Sequence, residues 1–156
     1  MILAQILAKK KTPRPLVTIT PATTLKTAMQ TMCANDISAL LVVDAATRSL
    51  VGILTHQDII RCYCAGGNQP PGFDAIPVCD AMTREVILAH PDDNVQNVMG
   101  IMSEKHIRHL PVIDPKGGIM DIVSVQDILT ALYEEDELEI RYLGDYLEGT
   151  YHCTVY

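Results

Sequence analysis

Tryptophan is absent and phenylalanine occurs once, which leaves little aromatic surface for stacking nucleic-acid bases. Positive charge is scarce as well: 12 Lys and Arg stand against 19 Asp and Glu, a net charge of −7. That balance argues against general affinity for DNA, RNA or anionic membranes. The 5 cysteines are odd in number and match neither a disulfide framework nor a zinc-ligand spacing, so they read as reduced thiols, and no metal centre is expected. No apolar stretch approaches the ~18 residues of a transmembrane helix. The opening MILAQILAKKK places its charges after the apolar run, the reverse of a secretory signal. A cytoplasmic protein is expected. Walker loops, H-E-x-x-H and nucleophile turns are missing too, so nothing points to an enzyme.

What is present is a repetition. Residues 41–60, LVVDAATRSLVGILTHQDII, return as residues 111–129, PVIDPKGGIMDIVSVQDIL. Pro21 answers Pro91, Thr23 answers Asp93 and Asp44 answers Asp114, each at an offset of 70. The turn between is one residue shorter in the second copy, so Thr55 answers Ser124 and Asp58 answers Asp127 at 69. A long period occurring twice implies a duplicated unit, not a solenoid. With 48% hydrophobic residues in 156, there is enough apolar material for a shared core. The expected fold class is α/β (α+β): two β-α-β-β-α repeats about a pseudo-two-fold axis, with a cleft between them.

Leu25, Ala28, Met29, Met32 and Cys33 recur at helical spacing, as do Val95, Val98, Met99 and Met102. After each helix comes a nearly continuous apolar run, Ala39 to Val43 or Leu110 to Ile113, suited to a strand buried on both faces. A polar turn and a second strand follow, Leu50 to Leu54 or Ile119 to Val123, and then a second helix. The segment AGGNQPPGFDAIP is too rich in Gly and Pro for regular structure. The organisation is therefore a helix and first repeat over 1–64, a linker over 65–77, a second repeat over 78–133 and a tail over 134–156. Ile2, Leu3, Ile6 and Leu7 form one face of a docking helix, and Val78 to Met82 plays the same part for the second copy. The tail is acidic at first (EEDELE), and 5 of the 6 tyrosines lie at or beyond Tyr133, Tyr142, Tyr146 and Tyr151 among them.

Chemistry concentrates where the second strand enters the second helix, in G-I-L-T-H-Q-D and D-I-V-S-V-Q-D. Thr or Ser followed three residues later by Asp is a capping box, and a lone instance is usually structural. Two instances at the same place in a repeat carry a second meaning. A helix N-terminus offers free N–H groups and positive potential to a phosphate, and an Asp in its first turn suits a ribose diol. His56, beside Thr55, reads as a surface histidine. Cys62, Cys64, Cys79 and His90 make no zinc pattern, and Cys153 is the thiol best placed for redox sensing.

With these motifs, the span from Leu16 to Tyr133 resembles a tandem pair of CBS domains, the family named after cystathionine β-synthase and also called a Bateman module. The resemblance rests on VTITPATTL and VILAHPDDNV, the strands ending at Asp44 and Asp114, KHIRHLPVID and the two T/S-x-x-D turns. It implies a module that binds AMP, ADP, ATP or another adenosine compound between its repeats, forms a homodimer and signals energy state to a regulated partner. It implies ribose contacts at Asp58 and Asp127 and ribose or phosphate contacts at Thr55 and Ser124. Base contacts are implied at Thr18, Ile19, Val86 and Ile87, and phosphate contacts at Arg108 and His109, with Ala39, Leu110 and Pro111 beside them. The competing reading is a ligand-independent scaffold whose two turns are caps alone.

The copies differ. Arg108-His109-Leu110-Pro111 faces Ser38-Ala39-Leu40-Leu41, which lacks a cation, and Asp121 stands where Gly52 stands in the first copy. One good phosphate-bearing site per chain is expected, with the other empty or weak. The tyrosine-bearing tail is expected to support the dimer or dock on a partner.

Overall fold

The helices of both halves start on polar side chains. In the computed structural model, which describes residues 1–10, 16–66 and 72–147, with side chains through residue 137, Thr24 accepts the Thr27 N–H at 3.3 Å to open α2 (Leu25–Asn35). Asn94 accepts the Gln96 N–H at 2.9 Å to open α4 (Val95–Glu104). These caps satisfy donors that have no partner inside the helix. Leu25, Ala28 and Met32 of α2, and Val95, Val98 and Met102 of α4, are buried at the spacing the sequence predicts.

The first half carries a three-stranded sheet. In it β1 (Thr18–Ile19) runs parallel to β2 (Ala39–Val43), and β2 pairs antiparallel with β3 (Leu50–Thr55). All five residues of β2 are buried, as its unbroken apolar run requires. In the second half β4 (His109–Ile113) pairs antiparallel with β5 (Ile119–Ser124). The third strand shrinks there to one parallel bridge, Ala89 to Val112, the counterpart of Ile19 to Val42. Both hairpins shift register at the same step, between Val42 and Val43 and between Val112 and Ile113. Asp44 and Asp114 hold the turns: Asp44 Oδ1 accepts the N–H groups of Ala46 and Thr47, and Asp114 Oδ1 those of Lys116 and Gly118.

The bridge at Ala89 corrects one alignment. The sequence reading set Val86 and Ile87 against Thr18 and Ile19, an offset of 68, and put both pairs in opening strands. Val86 and Ile87 lie outside any strand. At an offset of 70 their counterparts are Leu16 and Val17, and Ile19 corresponds to Ala89.

Each half is completed by the segment that precedes the other. In α1 (Leu3–Lys9), Leu3 N–H bonds to Asp93 O at 3.0 Å and Ala4 N–H to Pro91 O at 2.8 Å, while Val95 N–H bonds to Met1 O at 3.2 Å. A 3-10 turn, Val78–Asp80, repeats this pattern on the first half. Val78 N–H bonds to Thr23 O at 2.7 Å, Cys79 N–H to Pro21 O at 3.0 Å and Leu25 N–H to Ile76 O at 2.9 Å. Leu3 and Ile6 accordingly join the core of the second repeat, with Val95, Val98, Leu110, Val123 and Ile128. Val78 and Met82 join the core of the first. A smaller cluster, with Ala39, Leu41 and Ile53 packed against Ile119 and Ile122, fastens the two sheets together.

The second helices, α3 (His56–Ala65) and α5 (Val125–Leu147), follow β3 and β5 directly. The acidic stretch after Tyr133 continues α5, which at 23 residues is about 34 Å long. The side chains of Tyr142 and Tyr146, and all of Tyr151 and Cys153, lie outside the described residues.

Because Leu3 is fully buried among residues of the second repeat, Leu3→Ala is expected to destabilise the protein by ~2–5 kcal/mol. Urea unfolding followed by circular dichroism measures this. A change within error would mean that α1 is a detachable arm.

Candidate functional site

Both T/S-x-x-D turns form the reciprocal cap that their spacing predicts, but with different surroundings. At the head of α3, Asp58 Oδ2 accepts the Thr55 N–H at 2.8 Å and the Thr55 hydroxyl at 2.7 Å. The Thr83 hydroxyl donates to Asp58 Oδ1 at 3.4 Å and the Arg61 guanidinium lies 3.6 Å from it. Asp58 is 7% exposed. At the head of α5, Asp127 Oδ2 likewise accepts the Ser124 N–H and hydroxyl, each at 2.7 Å. Its other oxygen, Oδ1, has no hydrogen bond among the described residues, and the side chain is 33% exposed.

The difference comes from what covers each β-strand edge. Thr83 and Ile53 exchange two backbone hydrogen bonds, of 2.9 and 3.0 Å, which bring residues 82–83 down over β3. Gly52 permits this approach: a Cβ there would lie 2.6 Å from Met82 Sδ and 3.0 Å from Thr83 O. On β5, Asp121 occupies the position of Gly52. Its Oδ1 takes the Ile122 N–H at 2.7 Å, while Lys10 Nζ donates to Ile122 O at 2.7 Å and to Asp121 Oδ2 at 3.0 Å. Side chains there do what backbone does on β3, and among the described residues no strand lies over Asp127.

A cleft of about 690 Å³ opens at this place, within the range of small-molecule sites. Of the candidate residues, Ala39, Arg108, His109, Ser124 and Asp127 line it. Thr18, Ile19, Thr55, Asp58, Val86, Ile87, Leu110 and Pro111 do not. Leu16 and Val17 line the wall where Thr18 and Ile19 are expected, two residues earlier, because Thr18 and Ile19 are taken up by the strand. Lys10, Ser38 and His56 also face the cleft, and the sequence gives no signal for Lys10, which arrives on a segment docked across the axis.

Residues from both repeats meet at the mouth. Arg108 Nη2 donates to His56 Nε2 at 3.0 Å, which leaves the proton of a neutral His56 on Nδ1, 3.4 Å from Ser38 O. His56 is thus a partly buried wall residue, in contrast to the surface histidine of the sequence reading. His109 Nε2 lies 3.1 Å from the Ser38 hydroxyl. Burial, then the Arg108 guanidinium and His56, push the His109 pKa down, against a smaller opposing pull from Asp127. His109 is therefore neutral at pH 7, and an arriving anion would favour its protonation. Arg108 has no carboxylate partner among the described residues, so its charge is available to an anion.

Two related halves joined in this manner, each with an aspartate at the head of its second helix and a cleft between them, define a class of two-repeat modules. The chain belongs to the CBS domain family, whose model matches residues 12–64 and again 78–134. It is similar to the CBS domain-containing protein CBSX3, mitochondrial, of Arabidopsis thaliana, 32% identical over 131 residues. The match covers 82% of this chain and 62% of that relative's length. Among solved structures it is similar to the CBS-domain protein ATU1752 of Agrobacterium tumefaciens (TM-score 0.73, 28% identity, covering 83% and 97% of the two chains). The CBS domain pair of protein MJ0100 has a TM-score of 0.69 at 27% identity, covering 86% and 98%, and was solved with 5′-methylthioadenosine and S-adenosyl-L-methionine. No helix among the described residues is long and apolar enough to cross a membrane.

Gly52→Ala is expected to cost ~1–3 kcal/mol, because its methyl group drives Met82 and Thr83 off β3. Denaturant unfolding measures the loss, and Met82→Ala in the same chain should return part of it. Full stability in Gly52→Ala would show that the close approach is not needed.

Proposed function

We propose that the protein is a regulatory module that binds an adenosine-containing ligand in the cleft of Asp127. The observation that carries this reading is Asp127, whose Oδ1 has no hydrogen bond among the described residues, in the lining of a cleft that also holds Arg108 and His109. A carboxylate at a helix head accepts hydrogen bonds from ribose hydroxyls, and a guanidinium without a carboxylate partner receives phosphate. The apolar wall of Leu16, Val17 and Ala39 suits a flat base. The adenosine compounds bound by the MJ0100 pair support the nucleoside class. AMP, ADP and ATP extend it by the charge of Arg108. Asp58 keeps the capping role, so among the described residues the ligand is assigned to the Asp127 cleft. The reaction repertoire is binding without catalysis, because Asp127 is placed to accept hydroxyl protons in hydrogen bonds and not to activate water. Bound ligand biases the arrangement of paired modules by its differential affinity for the alternatives, and a partner protein in the cytoplasm reads that bias.

Thermal melting with adenosine, AMP, ADP, ATP and S-adenosylmethionine tests the reading. A ligand at 100 times its Kd stabilises a binder by roughly 2.7 kcal/mol. Asp127→Ala is expected to weaken the responding ligand at least about tenfold, the loss of one charged hydrogen-bond acceptor. Asp58→Ala should lower the melting temperature and leave affinity unchanged. A flat panel would reject the site and leave a scaffold whose two aspartates are caps.

The module is further proposed to act as a homodimer. Ile60 (56% exposed) on α3 and Leu129 (47%) on α5 occupy equivalent positions, and Tyr63 and Tyr133 extend the same apolar faces. A second copy covers such a surface more readily than water does. The Ile60→Glu, Leu129→Glu double variant is expected to sediment as a monomer at concentrations where the parent protein is dimeric. An unchanged sedimentation coefficient would place the interface elsewhere.

A further inference from the structure

The ion pair of Lys10 and Asp121 has no counterpart in the first repeat, where Gly52 and the backbone of Thr83 occupy the equivalent edge. Asp121 lines the cleft with Asp127, as do Asp36 and Glu134, and Lys10 reaches the first two: Lys10 Nζ is 3.0 Å from Asp121 Oδ2 and 3.8 Å from Asp127 Oδ2. The pair is sheltered, with the two side chains 20% and 30% exposed, so water screens its field less than on an open surface. Both Asp121 oxygens are engaged, one by Ile122 N–H and one by Lys10, and two of the three ammonium protons are used on Asp121 and Ile122 O.

We propose that Lys10 is a positioning residue that lets the cleft accept anionic adenosine compounds, by neutralising Asp121 beside Asp127. This rests on the adenosine reading of the cleft. Without the ammonium, two uncompensated carboxylates share a wall with the incoming phosphate. Their repulsion acts on a charged nucleotide and spares an uncharged nucleoside. Lys10 belongs to the segment that docks across the axis, so the first repeat's leading arm sets the charge of a site built around the second repeat's helix head. The ratio of AMP to adenosine affinity is therefore the quantity that Lys10 controls, and a purely structural role would move both affinities together.

Calorimetric titration of the full chain with adenosine and with AMP tests this, using Lys10→Met, Asp121→Asn and the double variant, each checked for folding by circular dichroism. Lys10→Met should weaken AMP about tenfold while changing adenosine by less than about threefold. The double variant, which removes both charges, should recover AMP binding to within about threefold of the parent chain. Asp121→Asn alone should tighten AMP relative to adenosine, and it supplies the answer if Lys10→Met does not fold. Equal losses for the two compounds, an unchanged ratio in either single variant, or no recovery in the double variant would overturn the role of Lys10. A parent chain that binds neither compound would instead overturn the adenosine reading itself.

Discussion

The hydrogen bonds between Met1–Ala4 and Pro91–Val95, and their counterparts between Ile76–Cys79 and Pro21–Leu25, make each half's interior depend on a segment from ahead of the other. Neither repeat then closes its own core, because Leu3 and Ile6 fill the second and Val78 and Met82 fill the first. This crossing fixes the pseudo-two-fold relation more firmly than the small sheet-to-sheet cluster of Ala39, Leu41, Ile53, Ile119 and Ile122 could alone. It also carries the chain past the edges of β3 and β5, where the fate of each cleft is decided.

Those two edges are chemically different although the backbone around them is nearly the same. On β3 a glycine without a side chain admits Met82 and Thr83, whose main chain takes up the free N–H and C=O of Ile53. A buried peptide group must be paired, and here backbone does it at the expense of open space. On β5 the same two groups, on Ile122, are satisfied by the carboxylate of Asp121 and the ammonium of Lys10. A pair of side chains covers less of the edge than an extended strand does, and the cleft beside Asp127 stays open.

The motif S/T-x-x-D therefore caps two helices in different surroundings. Both aspartates cap their helices through one oxygen, and this alone justifies the residue types. The two differ at the second oxygen, which Thr83 and Arg61 approach at Asp58 and which has no hydrogen bond among the described residues at Asp127. His56 shows the same dependence on context. Its neighbour Arg108 comes from the other repeat, 52 residues away in the chain, so no local pattern announces the pairing.

Much was legible in the residues: the duplication, the buried strand Ala39–Val43, the helix faces of Leu25 to Met32 and Val95 to Met102, the caps, and the asymmetry between Ser38-Ala39 and Arg108-His109. These follow from periodicity and from hydrogen-bonding needs within a few residues, which a linear chain displays directly. The more open surroundings of Asp127, the wall at Leu16 and Val17, and the arrival of Lys10 beside Asp121 come from tertiary structure. Each depends on which distant segment reaches a strand edge, and on β3 that approach needs the missing Cβ of Gly52.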